Sequence, residues 1–282
     1  MNFLRHLNTN STPPQYIFKH NVRLMTFFPL PAFNDNYIWI YHDDQQSLLW
    51  AVDPGDAEVV KDYCQTNECR LAGILVTHHH NDHIGGVKSL VEAFDCPVYG
   101  PKTLHPDVVS HAVQEGDMLT IQDYELLVMA TPGHTLDHLC YVGTSQTNPF
   151  ILCGDTLFRG GCGRLFEGSP AQMLQAMTRI RELPAHTLVY GTHEYTQANY
   201  RFAQAIDADN DALRKANANA DELRSNGLPT LPSTIEQERQ TNPFLRFDVG
   251  PVVQGAAALL REAPATDLVG AFAQIRRAKD GF

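Results

Sequence analysis

The sequence predicts an α/β fold with a helical region at its C-terminal end, on three observations. Short apolar and β-branched runs alternate with helically spaced segments from Asn36 to Tyr195. Beyond Tyr195 the strand-like runs disappear, and Ala, Gln, Arg and Leu recur at helical spacing to the end of the chain. Histidines and aspartates, finally, fall just past the ends of four apolar runs, where the loops of a sheet gather.

Taken in order, residues 37–41 and 47–52 read as strands, the second ended by the turn Asp53-Pro54-Gly55. Residues 57–65 have helical spacing, 71–76 form an apolar strand, and 87–94 form a helix after Gly85-Gly86. Further strands are predicted at 97–99, 124–130, 139–142, 150–153 and 187–190. A helix over 171–182 opens with Ser169 as N-cap and Pro170 in the first turn. The C-terminal helices fall at 197–225, interrupted near 207–210, then at 234–239, 252–262 and 267–277.

Composition bounds the function. With 282 residues, 43% hydrophobic and 19% charged, the chain can bury one large core and a smaller second one. Acidic residues outnumber basic ones by 32 to 21, and a net charge of −11 gives no general footprint for nucleic acid. An anionic ligand must therefore meet a local basic patch. Six cysteines without a CxxC pair suit reduced thiols in a cytosolic-type compartment. No apolar run is long enough to span a bilayer. Residues 1–24 are polar, lack Asp and Glu, and carry Arg5, Lys19 and Arg23. A disordered tail is the simplest reading of them; a mitochondrial-type leader and a true start at Met25 are the others.

The chemistry concentrates in Thr77-His78-His79-His80-Asn81-Asp82-His83, between an apolar strand and a glycine-rich helix entry. Imidazole and carboxylate suit borderline divalent ions such as Zn²⁺, and a short loop can aim alternate residues at one point. His134 follows another strand through Thr131-Pro132-Gly133, Asp155 follows a third through Gly154, and His193 follows a fourth through Gly191-Thr192. Scattered polar loop residues would not gather at four strand ends in this way.

These segments, with Gly154-Asp155-Thr156-Leu157-Phe158 and Gly191-Thr192-His193-Glu194-Tyr195, resemble the metallo-β-lactamase superfamily in its glyoxalase II branch, over residues 31–282. The resemblance implies an αββα sandwich with a helical C-terminal domain, divided as a catalytic part at 25–195 and a substrate-binding part at 196–282. It implies two divalent metal ions, zinc first, with iron and manganese also acceptable to a mixed His and Asp set. His78, His80 and His134 would hold one ion, Asp82, His83 and His193 the other, and Asp155 would bridge them. The implied reaction is hydrolysis of S-D-lactoylglutathione, and of S-2-hydroxyacylglutathiones generally, to the 2-hydroxy acid and glutathione, the second step of methylglyoxal detoxification. A hydroxide bridging two cations would attack the thioester carbonyl, with Asp82 ligating and orienting it. The protein would be a cytoplasmic monomer acting on a small glutathione thioester, with no nucleic acid or membrane partner.

By the same resemblance, Arg276 and Lys279, three apart on one helical face, would grip the glycine carboxylate of glutathione. Arg164, Phe166 and Tyr195 occupy the remaining substrate-binding positions. Phe166 departs from the tyrosine of some members, so a hydrogen bond from its hydroxyl is absent or replaced. The segment 241–246 would dock the helical region on the sandwich. His79 should face away from His78 and His80. His138 should be a satisfied core histidine, and Cys153 a buried thiol. Asp53 could stabilise its turn or hold a ligating histidine. The main rival is a persulfide dioxygenase using one iron, two histidines and one carboxylate; the helical tail with Asn242-Pro243-Phe244 and Arg276-Arg277 argues against it. A non-catalytic binding module would need a damaged donor set, net charge opposes a nuclease, and a β-lactamase would usually carry Cys where Asp155 stands.

Overall fold

Side-chain alternation along the strands decides the architecture. A computed structural model describes residues 27–282 apart from Asp44, Asp123 and Gln146; the tail or leader expected at 1–24 lies outside the described residues. One sheet runs β1 (Phe28–Ala32), β2 (Asn36–Asp43), β3 (Leu48–Val52), β4 (Arg70–Leu75), β5 (Val98–Pro101) and β6 (His111–Val113), in that order. The second contains β7 (Met118–Ile121), β8 (Tyr124–Ala130), β9 (Leu139–Gly143), β10 (Phe150–Gly154), β13 (Leu188–Gly191) and β14 (Ser233–Thr234), side by side in chain order. Between β10 and β13 the chain forms a two-stranded ribbon, β11 (Leu157–Phe158) and β12 (Gly161–Cys162).

Along β2, Tyr37 and Trp39 point between the sheets, whereas Ile38 and Ile40 point outward. Along β10, Phe150 and Leu152 point inward, and Ile151 and Cys153 outward. The central layer therefore packs Trp39, Val52 and Leu75 of one sheet against Val128, Tyr141, Leu152 and Tyr190 of the other. Helices α1 (Ala57–Thr66) and α3 (Val87–Phe94) cover the first sheet with Val60, Val87 and Leu90, while α2 (Asn81–Ile84) is one short turn beside the site. The outer face of the second sheet is covered by α4 (Pro170–Arg181), α5 (Thr196–Ile206) and the C-terminal helices through Met173, Met177, Phe202, Phe272 and Ile275. The expected αββα layering is thus produced by period-two strands that are apolar on both faces.

Helix boundaries follow local chemistry. Ser169 and Gln172 form a capping box ahead of α4, with Pro170 in the first turn. The predicted break at 207–210 separates α5 from α6 (Asp211–Ser225), where Asn210 accepts from the Leu213 N–H and donates to Asp207. Then come α7 (Ile235–Thr241), α8 (Gly250–Leu260) and α9 (Leu268–Asp280).

Sequence reasoning missed β1, β6, β7, the ribbon and β14. In β1, Pro29 and Pro31 mask the strand pattern, which an edge position tolerates. The expected absence of strand beyond Tyr195 is corrected by β14, which pairs with β13 and stitches the helical region onto the second sheet. Asn242, fully buried at the end of α7, donates to the carbonyls of Phe158 and Gly161 and to Glu238. Segment 241–246 docks as expected, by satisfying the polar backbone of the ribbon.

Candidate metal centre

Four strand ends deliver the donors: β4 leads to His78, His80, Asp82 and His83, β8 to His134, β10 to Asp155 and β13 to His193. The imidazole nitrogens His78 Nε2 and His134 Nε2 each lie 3.0 Å from His80 Nδ1. Beside them, Asp82 Oδ2 is 3.5 Å from His83 Nε2 and 3.5 Å from His193 Nε2. Asp155 faces both groups, with Oδ2 3.4 Å from His134 Nε2 and Oδ1 3.4 and 3.3 Å from His83 and His193 Nε2. Two glycines permit this convergence. Gly154 has φ of 47°, and a side chain there would strike Thr77 Oγ1 at 2.5 Å. One at Gly163 would meet the Asp155 carbonyl and His134 Nδ1.

Hydrogen bonds fix the tautomers. Thr77 spends its hydroxyl proton on Asp53 Oδ2 at 2.7 Å, so its oxygen accepts from His78 Nδ1 at 3.0 Å. His134 Nδ1 donates to the Arg164 carbonyl, which can only accept, at 2.7 Å. His193 Nδ1 bonds Asp35 Oδ1 at 2.7 Å, whereas His83 Nδ1 lies 3.0 Å from Asp53 Oδ2 at ion-pair distance without an aligned hydrogen bond. In all four, Nε2 is turned into the site, where metal-binding histidines need a lone pair. His138 completes the support: its Nε2 accepts from the Asp155 N–H, so Nδ1 carries the proton toward Thr131 and Thr156. It is the buried, satisfied histidine expected.

The electrostatics favour a cation. Burial holds His78 and His138 well below the imidazole range, with neighbouring imidazoles adding to the effect. Burial also lowers His80 and His134. For His83 burial acts in the same sense but is outweighed by Asp155 and Asp53, which hold it well above its ordinary value. Asp155 would be raised by burial, yet His83 and His193 keep it well below the carboxylate range. His83 Nε2 and Asp155 Oδ1 are buried and, though within ion-pair distance of each other, make no aligned hydrogen bond. Tetrahedral coordination at Zn–N distances of about 2.0–2.1 Å spaces ligand atoms about 3.3–3.4 Å apart. The 3.0–3.5 Å spacings here match that requirement. The donor set fits a divalent metal.

Of the substrate-binding residues expected from sequence, Phe166 and Tyr195 lie against the donors. The Phe166 ring lies 5.6 Å from that of His80 and 5.3 Å from that of His134. Tyr195 stacks on His193 at 4.7 Å. Arg164 is exposed, with Nε 3.4 Å from Asp280. Arg276 is buried instead: Nη1 donates to the Cys162 carbonyl, Nε and Nη2 to Asp280, and the guanidinium lies over Phe244. Lys279 donates to the Ala198 carbonyl and lies over Phe202. His79 turns away from the donors, as expected, and is held by Asp137 and Glu167. Cys153 is a buried thiol. Sequence reasoning missed Asp35 and Asn36, which hold His193 and Asp82, because both read as ordinary turn formers.

Comparison with known proteins agrees with this geometry. The family model described as Metallo-beta-lactamase superfamily matches residues 52–193, and that described as Hydroxyacylglutathione hydrolase C-terminus matches residues 194–282. A relative named hydroxyacylglutathione hydrolase, from Marinomonas sp. (strain MWYL1), is 53% identical over 92% of this chain and 100% of its own length. Another of that name, from Hahella chejuensis, is 45% identical over 90% of this chain and 98% of its own. Among solved structures, ETHE1 from Myxococcus xanthus has a TM-score of 0.60 at 24% identity, covering 90% of this chain and 99% of that one. TTHA1623 in a di-iron-bound form has a TM-score of 0.54 at 26% identity, over 77% and 100%. Fold and donor set define a metal-dependent hydrolase with the metallo-β-lactamase architecture. The chain belongs to the hydroxyacylglutathione hydrolase family of that superfamily.

Proposed function

We propose that the chain is a thioesterase that hydrolyses S-2-hydroxyacylglutathiones, S-D-lactoylglutathione among them, to the 2-hydroxy acid and glutathione, with two divalent metal ions, zinc foremost. The carrying observation is the pair of donor groups with one Asp155 oxygen turned to each. His78, His80 and His134 would hold one ion, Asp82, His83 and His193 the other, and Asp155 both; TTHA1623, of the same fold, is known in a di-iron-bound form. Bound divalent cations would supply Lewis acidity, lowering the pKa of water towards neutrality and stabilising negative charge on the carbonyl oxygen.

The chain does the rest. Asp82 is the more open of the two aspartates, and Asn36 donates to its Oδ2 at 3.0 Å. Its other oxygen is left to orient the attacking water and accept a proton. Burial alone would raise Asp82, but His83 and Asn36 hold it low, so it stays an acceptor at neutral pH. A thiolate leaves without a strong general acid. Lys279, Arg164 and the remaining donors of Arg276 supply the basic patch that glutathione carboxylates require in an acidic protein. Phe166 and Tyr195 flank the scissile bond. The rival with one iron would leave four of the seven converged donors without a role, and the family match extends through the helical tail that argued against it. A monomer in the cytoplasm completes the reading. Among the described residues no helix is long and apolar enough to cross a membrane.

The test is hydrolysis of S-D-lactoylglutathione by purified protein, with metal content measured on the same sample. Turnover with two metals per chain supports the reading. Metal-loaded protein that leaves this thioester intact overturns it.

A further inference from the structure

Three of the six thiols, Cys64, Cys69 and Cys96, share the layer that packs α1 and α3 on the first sheet. The other three have polar neighbours of their own: Cys140 meets Thr131 Oγ1, Cys153 donates to the Leu157 carbonyl, and Cys162 lies beside Arg276. Cys64 stands in the last turn of α1, and Cys69 directly precedes β4. Between them Glu68, with φ of 50°, turns the chain back, and the Cys69 N–H donates to the Cys64 carbonyl at 3.0 Å. A helix ending of this kind usually brings two apolar side chains together. Here the pair is two thiols, in hydrogen-bonding contact with each other. A backbone bond of that length places their Cα atoms no more than about 7 Å apart, the span within which a disulfide can form without movement of the backbone.

We propose that Cys64 and Cys69 are a redox pair, which exchanges with a small soluble disulfide to close a Cys64–Cys69 bridge across the end of α1. In the first step the Cys69 thiolate attacks the external disulfide, expels one thiolate and is left as a mixed disulfide. In the second, Cys64 attacks the Cys69 sulfur and expels the other thiolate. Two protein thiols are oxidised, the external disulfide is reduced to two thiols, and the two protons pass to the thiolates released. Exposure sets the order, because Cys69 is half-buried and open to attack from solvent, whereas Cys64 is 3% exposed. Burial, with Cys69 alongside, pushes the Cys64 thiol up to about 12, so the second step is the slow one at neutral pH and quickens as pH rises. Cys96, buried in the same layer, is the competing partner, but the backbone bond ties Cys69 to Cys64. The bridge would fasten α1 to β4 and touch none of the metal donors.

The experiment incubates the full-length, metal-loaded protein with excess glutathione disulfide in mildly alkaline buffer and follows intact mass, peptide maps and Tm. The parent should lose the mass of two hydrogens, yield a linked Cys64–Cys69 peptide and melt about 4 °C higher, with dithiothreitol reversing all three changes. Cys64→Ser should stop at a mixed disulfide on Cys69, heavier by one glutathionyl group; Cys64→Ala serves the same purpose if a buried serine hydroxyl disturbs folding. Cys69→Ser should leave Cys64 unmodified, and Cys96→Ser should form the bridge as the parent does. A parent that keeps all three thiols reduced under these conditions overturns the proposal and leaves the contact as packing alone. A bridge that includes Cys96, or one that forms in Cys69→Ser, overturns the pairing.

Discussion

The two ends of the site are built by opposite means. At the metal end, imidazoles and carboxylates on short side chains are buried or half-buried, and five of the seven are oriented by a further group: Thr77, Asp53, Asp35, Asn36 or the Arg164 carbonyl. At the basic end, long side chains are already engaged with the protein itself, Arg276 and Arg164 sharing Asp280 and Lys279 resting on Ala198 and Phe202. The first arrangement is rigid and suits chemistry that needs donors within a few tenths of an ångström. The second exchanges internal partners for a ligand's carboxylate, which suits binding. Damage at the metal end should therefore destroy turnover, whereas damage at the basic end should be read mainly in KM.

The largest effect is expected for Asp155→Ala. It removes the one carboxylate turned to both donor groups and leaves like charges facing each other, so turnover should vanish and bound metal should drop, as elemental analysis with a thioesterase assay would report. Next come the orienting groups that touch no substrate. Asp53→Asn and Asp35→Asn leave every proposed ligand in place but release His83 or His193, and each should cost about 10–100-fold in metal affinity or activity. Unchanged metal affinity and rate in both would show the orientation to be dispensable.

Smaller effects belong to the basic end. Lys279→Ala should raise KM about tenfold with kcat little altered, and the penalty should shrink in high salt. An equal loss in kcat would place Lys279 in folding or chemistry instead. The smallest effect is one of pH. Burial, with Arg276 and Arg201 nearby, pushes Lys279 down to about 8. A lysine is charged below its pKa, so KM for the anionic substrate should be lowest below pH 8 and climb above it. Lys279→Arg, charged throughout, should flatten that climb; persistence of the climb would assign it to another group.

The same contrast explains what could be read without coordinates. The metal donors were legible because their chemistry is local: a dense His and Asp array and three further donors, each just past an apolar strand. Strands apolar on both faces and the Ser169-Pro170 helix start were legible for the same reason. Asp35 and Asn36 were not, because their partners, His193 and Asp82, lie far along the chain and turn residues carry no mark of what they hold. Asp53 was balanced between its turn and a histidine; its carboxylate accepts from Thr77, 24 residues on, and lies 3.0 Å from His83 Nδ1. β1 was hidden by its prolines, and β14 by having only two residues. The engagement of Arg276 with Asp280 and Cys162 was equally invisible, because spacing on a helix says which residues share a face and nothing of what that face meets.

The central claim is that seven side chains form one two-metal centre joined by Asp155. Metal-free protein titrated with Zn²⁺, following bound metal and S-D-lactoylglutathione hydrolysis together, tests it most directly. The account predicts saturation at two ions per chain, with full activity reached only at the second, and loss of at least one ion in Asp155→Ala. Saturation and full activity at a single ion, unaffected by that replacement, would contradict it.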